Sequence, residues 1–177
     1  MMNHSLSQLC WRVFAAISLA VLLILPVAAI APPDARAGTT ITVNEMTDEL
    51  DEHSNVGADC SLREALFAAN EDRTFGGCPA GDGADTIIIP AGVYTLTIAA
   101  DGESGTDGDL YIREDLTLRG SGMDMTILDG DNRFQIITIQ RWRDGPSPVV
   151  TIQDLTMRHG YGVGDGGGGA LQITRDR

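Results

Sequence analysis

From residue 86 onward the chain alternates apolar residues with threonine in short bursts. LTI at 96–98, LTL at 116–118, ITI at 137–139 and LTM at 155–157 start 20, 21 and 18 residues apart. Side chains alternate faces along a strand, so each burst predicts two apolar residues turned inward and one threonine turned outward. Other strand-like runs lie between the bursts: TIIIP at 86–90, LYI at 110–112, TILDG at 126–130, VVTI at 149–152 and LQI at 171–173. Each period of about twenty residues therefore holds more than one strand with glycine at the corners, the pattern of a solenoid coil. Stacked coils would bring Thr97, Thr117, Thr138 and Thr156 into one outer file, spaced about 4.8 Å apart. Gly92, Gly120, Gly130 and Gly160 are expected at corners, with the positive φ that sharp turns require. A sandwich of hairpins is the competing all-β arrangement. It is disfavoured because no two-residue Asn-Gly or Asp-Gly link joins matched strands except around Gly130.

The stretch DCSLREALFAANED, 59–72, breaks this pattern. Ser61 and Glu64 make an S-x-x-E capping box, which predicts a helix over 61–70. Leu62, Ala65, Leu66 and Ala69 fall at i, i+3, i+4 and i+7 and form one apolar face. Arg63, Asn70 and Glu71 are expected to face solvent. A stack of coils begins with an open rung, whose strand edges and apolar side chains need an atypical terminal cap. The helix is predicted to be that lid. Residues 38–85, which open with the short strand TTITVNE and an acidic loop, form the N-terminal cap, and residues 86–177 the coils.

The first residues read as an export signal. After Arg12 comes VFAAISLAVLLIL, a thirteen-residue apolar run of signal-peptide length and short for a membrane span. Cleavage is expected after Ala37, in ARA|GTT, which makes residues 1–37 a leader; a membrane is met only if that segment stays uncleaved. The whole chain carries 12 basic and 25 acidic side chains, a net charge of −13, with no lysine. This acidity argues against nucleic acid or anionic lipid as a partner. Cys60 and Cys78 remain after processing, and an even pair in an exported chain reads as one disulfide. Two cysteines alone make a poor zinc site.

The hexapeptide CSLREA at 60–65, with its flanks, resembles the CSLREA-domain group of exported bacterial proteins. ITVNEMTDELD, GCPAG, ADTIIIPAGVYTLTI, GDLYIREDLTLRGSG, TILDG and GGGGALQIT extend the likeness over essentially all of 40–177. The resemblance implies secretion or surface display, and an all-β fold: a right-handed parallel β-helix (solenoid) with an N-terminal α-helical cap. It implies no agreed biochemical activity. Members of that group typically carry further coils beyond the point matching Arg177, so truncation at the C-terminus is expected.

Parallel β-helices also host polysaccharide lyases, which need grouped carboxylates for Ca²⁺ and a basic residue near the sugar's acidic proton. Asp101, Asp107, Asp109, Asp129 and Asp131 are the candidate acids, with Arg119, Arg133 and Arg158 near them in sequence. None has the spacing of a calcium loop, and Asp and Gly are also the residues that corners prefer. No cofactor is therefore expected, Ca²⁺ being a weak alternative. GYGVGDGGGG at 160–169 lacks the Lys-Ser/Thr of a phosphate-binding loop and reads as a turn. Arg141, Trp142 and Arg143, before two prolines, read as a protruding loop able to stack on a sugar or meet a partner. No catalytic residue is assigned. The expectation is a non-catalytic binding, adhesion or structural protein, secreted or at the cell surface, with a polysaccharide or a surface protein as partner. The alternative is a lyase-like carbohydrate-active enzyme. Self-association through an open C-terminal edge is also expected.

Overall fold

The computed structural model describes residues 37–50, 59–99, 108–141, 147–162 and 168–175. The expected leader, residues 1–37, lies outside them apart from Ala37, which opens the first strand. The described residues form strands in parallel sheets with a single short helix. In chain order these are β1 (Ala37–Thr42), α1 (Leu62–Asn70), β2 (Ala84–Ile88), β3 (Gly92–Thr95), β4 (Leu110–Ile112) and β5 (Leu116–Arg119). There follow β6 (Thr126–Asp129), β7 (Ile137–Arg141), β8 (Val150–Gln153), β9 (Thr156–Arg158) and β10 (Leu171–Arg175).

The first sheet runs β1-β2-β5-β8, the second β3-β6-β9 and the third β4-β7-β10, every pair parallel. From β2 onward the chain visits the three sheets in strict rotation, one strand at each visit. Parallel neighbours must be reached by such a return path, since a tight hairpin joins only antiparallel strands.

This rotation corrects the period of about twenty. Along the first sheet Thr86, Thr117 and Thr151 lie in register, 31 and 34 residues apart. Each visit to a sheet consumes about a third of that length, so a step of twenty residues advances two strands and lands on a different sheet. The bursts at 116, 137 and 155 accordingly belong to the first, third and second sheets. Thr97 lies beyond the end of β3, and Thr138 is only 4 % exposed. The outer threonine file of the molecule is Thr40, Thr86, Thr117 and Thr151 on the first sheet, each exposed or half-buried. Ile41, Ile87 and Leu118, one residue on in each strand, are the buried inner file.

The corner glycines are also corrected. None of Gly92, Gly120, Gly130 and Gly160 has positive φ; among the corners Asp131, Asn132, Asp154 and His159 do, and polar residues of this kind tolerate that region best. Gly120 is constrained by proximity. Its N–H donates to Gln153 O at 3.0 Å, and a Cβ there would fall on the carbonyl of Asp154 in the next strand layer.

Helix α1 has Ser61 as N-cap. Glu64 N donates to Ser61 Oγ (3.2 Å), and Ser61 N donates to Glu64 Oε2 (3.0 Å), the reciprocal arrangement of a capping box. Leu62, Ala65, Leu66 and Ala69 are buried in the common core, and the helix packs against β1, β2 and β4. Cys60 and Cys78 are disulfide-bonded, with Cα atoms 4.8 Å apart and both side chains buried. Arg63 departs from the solvent-facing position expected of it. It is buried, its Nε donating to Asp48 Oδ1 (2.7 Å) and its Nη2 to Asp48 Oδ2 (3.1 Å). The same guanidinium donates to the carbonyls of Asp109 and Gly108, both at 2.9 Å. A burial this deep is tolerated because every side of the fork meets an oxygen.

Candidate functional site: a polar groove on the third sheet

The alternation along β4, β7 and β10 sorts their residues cleanly. Leu110, Ile137 and Leu171, and two residues on Ile112, Ile139 and Ile173, form the inner files. Between them Tyr111, Thr138 and Gln172 stack in register on the opposite face, followed by Gln140 and Thr174. That face is the floor of a groove of about 420 Å³. Its wall comes from the turn before β7, through Arg133, Phe134 and Gln135, and from Tyr161 beyond β9. The wall is fixed to the next layer by backbone bonds: Tyr161 N donates to Phe134 O and Asn132 N to His159 O, both at 2.8 Å. The Arg133 guanidinium lies over the Phe134 ring, 5.0 Å from its centre.

A hydrogen-bonded chain crosses the floor. Gln135 Nε2 donates to Thr138 Oγ1 (3.0 Å), and Thr138 Oγ1 donates to Asp109 Oδ2 (3.0 Å). The Gln135 amide lying over Thr138 explains why that threonine is shielded although it points outward. Asp109 is placed in turn by Arg63, which holds its carbonyl. At the far end of β4, Arg113 Nε donates to Gln140 Oε1 (3.0 Å) and its guanidinium lies 5.3 Å from the Tyr111 ring centre. The groove thus offers hydroxyls, amides, one carboxylate and tyrosine rings to whatever enters it.

Helix α1 closes one end. Asn70 Nδ2 donates to Tyr111 O (2.9 Å), and Arg113 N donates to Asn70 Oδ1 (2.8 Å). One side-chain amide therefore satisfies the outer edge of β4 as a neighbouring strand would. Asp48 does the same after β3, its Oδ2 accepting from Thr97 N (2.7 Å) and Ile98 N (2.9 Å).

The remaining sequence candidates are dispersed. Of the acidic residues singled out, Asp109 alone lines the groove; Asp101 and Asp107 lie outside the described residues. Asp129 sits on the second sheet, bonded by Arg158 Nε (2.7 Å), His159 Nδ1 (3.0 Å) and Asp131 N (3.0 Å). Burial pushes its carboxyl up, but the bonds from Asp131, Arg158 and His159 outweigh that and hold it below the usual value. Arg119 faces Asp154 at 3.9 Å on the exposed side of the first sheet. Among the described residues no group of three or more His, Cys, Asp or Glu side chains is placed to hold a metal ion. Arg141, one residue beyond groove residue Gln140, ends β7 opposite Arg175; Trp142 and Arg143 lie outside the described residues. Tyr111, Gln135, Gln140 and Gln172 were not singled out by the sequence. Only the alternation of LYI and LQI hinted that their middle residues share a face.

Comparison of the chain with protein-family models, with curated proteins and with solved structures finds no match.

Proposed function

We propose that this is an exported, non-catalytic glycan-binding protein of the CSLREA-domain type, acting at the cell surface or outside the cell. In this reading the rotation through three parallel sheets is that of a right-handed parallel β-helix roofed by α1, and the buried disulfide suits an oxidising compartment. The observation that carries the proposal is the third-sheet groove. Hydroxyl and amide groups at a regular strand spacing suit a ligand with many hydroxyls, and tyrosine rings suit the faces of sugar rings. The acidity of the chain favours neutral polysaccharides over polyanions. β7 runs one residue past groove residue Gln140 to Arg141, so the contact role expected of Arg141, Trp142 and Arg143 falls in the chain directly after the groove floor. A surface protein bearing glycans would be met through the same face.

The test is calorimetry of the purified protein against cello-, xylo-, manno- and chito-tetraoses and oligogalacturonate, repeated with Tyr111→Ala and Gln172→Ala. Binding to at least one neutral glycan is expected, weakened about five- to tenfold by Tyr111→Ala, the loss of about 1 kcal/mol of ring contact. Failure of every glycan to bind, or binding indifferent to both substitutions, overturns the proposal. A lyase-like enzyme is the second reading, favoured by Asp109 and Arg133 lining one groove. Release of unsaturated sugar from a uronate polymer with Ca²⁺ would establish it instead.

A further inference from the structure

The groove does not simply run out at β4. Where α1 crosses that edge there is a smaller pocket of about 70 Å³, which shares Asp109 and Tyr111 with the groove. Its apolar lining is made by the buried Leu66 and Leu110 and the half-buried Leu50 and Phe67, while Glu71 and Arg113 stand among its polar lining. A ligand laid across the strands, from β10 over β7 to β4, meets this pocket as its last position, because α1 and the Asn70 amide occupy the edge beyond. The pocket is too small for a sugar ring and of a size for one short substituent.

Resting on the glycan-binding reading, we infer that this pocket accepts the acetamido group of an N-acetylated sugar at the end of a neutral oligosaccharide. The methyl group enters the apolar walls. The amide supplies one acceptor and one donor, matching a guanidinium, which carries five N–H groups, and a carboxylate. A hydroxyl in the same place would set a polar group against Leu66 and Phe67 and forfeit the methyl contact. Selection of this kind, one small apolar group in a fitted pocket with a hydrogen bond, is worth about tenfold or more.

Tetra-N-acetylchitotetraose and cellotetraose share the β-1,4 backbone and differ at C2, so their affinities for the wild-type protein decide the matter. The acetylated sugar is expected to bind at least about tenfold more tightly. Leu50→Trp, which fills the pocket from its half-buried rim, should erase that preference and leave cellotetraose affinity unchanged. Equal affinities of the wild-type protein for the two sugars overturn this inference while leaving the glycan-binding reading intact. Binding of neither overturns it too, while the glycan-binding reading is then decided by the rest of its panel and by Tyr111→Ala and Gln172→Ala.

Discussion

Arg63 shows what one residue contributes here. It is 6 % exposed, and its side chain joins the helix to Asp48 and to the start of β4. Removing one partner of a buried pair strands the other, so Arg63→Ala should cost about 3–5 kcal/mol in urea or guanidinium unfolding. A loss below about 1 kcal/mol, the range of exposed pairs, would contradict the burial. The sequence hid this role because Arg63 flanks the apolar stripe of the helix, and its partner lies in an acidic loop with no periodic pattern. Arg63 is, however, the single arginine of residues 38–72, and a lone cation in an acidic stretch is a signal that pairing was available. Asp129 supplies a pH test. Its folded pKa lies below the ordinary 3.8, so its contribution is present above that value and disappears as pH falls through the depressed one. Between neutral pH and about pH 2 the wild-type protein should therefore lose more stability than Asp129→Asn. Parallel losses would place the carboxylate outside the network of Arg158 and His159.

Among elements, the helix was the most legible and the sheets were the least. Ser61, Glu64 and the spacing of Leu62, Ala65, Leu66 and Ala69 specify the start and the buried face of α1 through local chemistry alone. Ser61→Ala should cost about 1 kcal/mol, the usual worth of an N-cap, read as a lowered unfolding midpoint. No change would mean that the box contributes nothing beyond the packing of the helix. The strands were legible too, because two-residue alternation is a local property. Which sheet each strand joins is not local: successive strands go to three different sheets, so a regular twenty-residue spacing looks like a return to the same sheet although it advances two strands. The glycines misled for a related reason. Gly120 has ordinary φ and is needed because the next layer's backbone passes where a Cβ would be. Gly120→Ala should therefore destabilise by about 1–3 kcal/mol, as overpacking does, and the change would be near neutral if backbone conformation were the sole constraint. The groove was partly hidden on the same grounds, since Tyr111, Thr138 and Gln172 become neighbours only once the register of three distant strands is set.

At the scale of the molecule the two ends differ. β1, Asp48 and Asn70 close the edges beside the helix. On the opposite side, β8, β9 and β10 have no further strand beside them among the described residues. The inner file of the third sheet records this: Ile112 is fully buried and Ile173 is 76 % exposed. Apolar side chains and strand edges exposed together favour association between chains. Sedimentation of purified residues 38–177 should show self-association that increases with concentration; a monomer at all concentrations, with slow hydrogen exchange over Leu171–Arg175, would contradict this. The central claim concerns the face formed by β4, β7 and β10, and the most direct measurement is an NMR titration of the isotope-labelled protein with whichever oligosaccharide of the panel binds. Shifts concentrated at Tyr111, Thr138, Gln172 and Tyr161 are predicted. Shifts confined to Thr86, Thr117 and Thr151 of the first sheet, or no binder at all, would contradict the account.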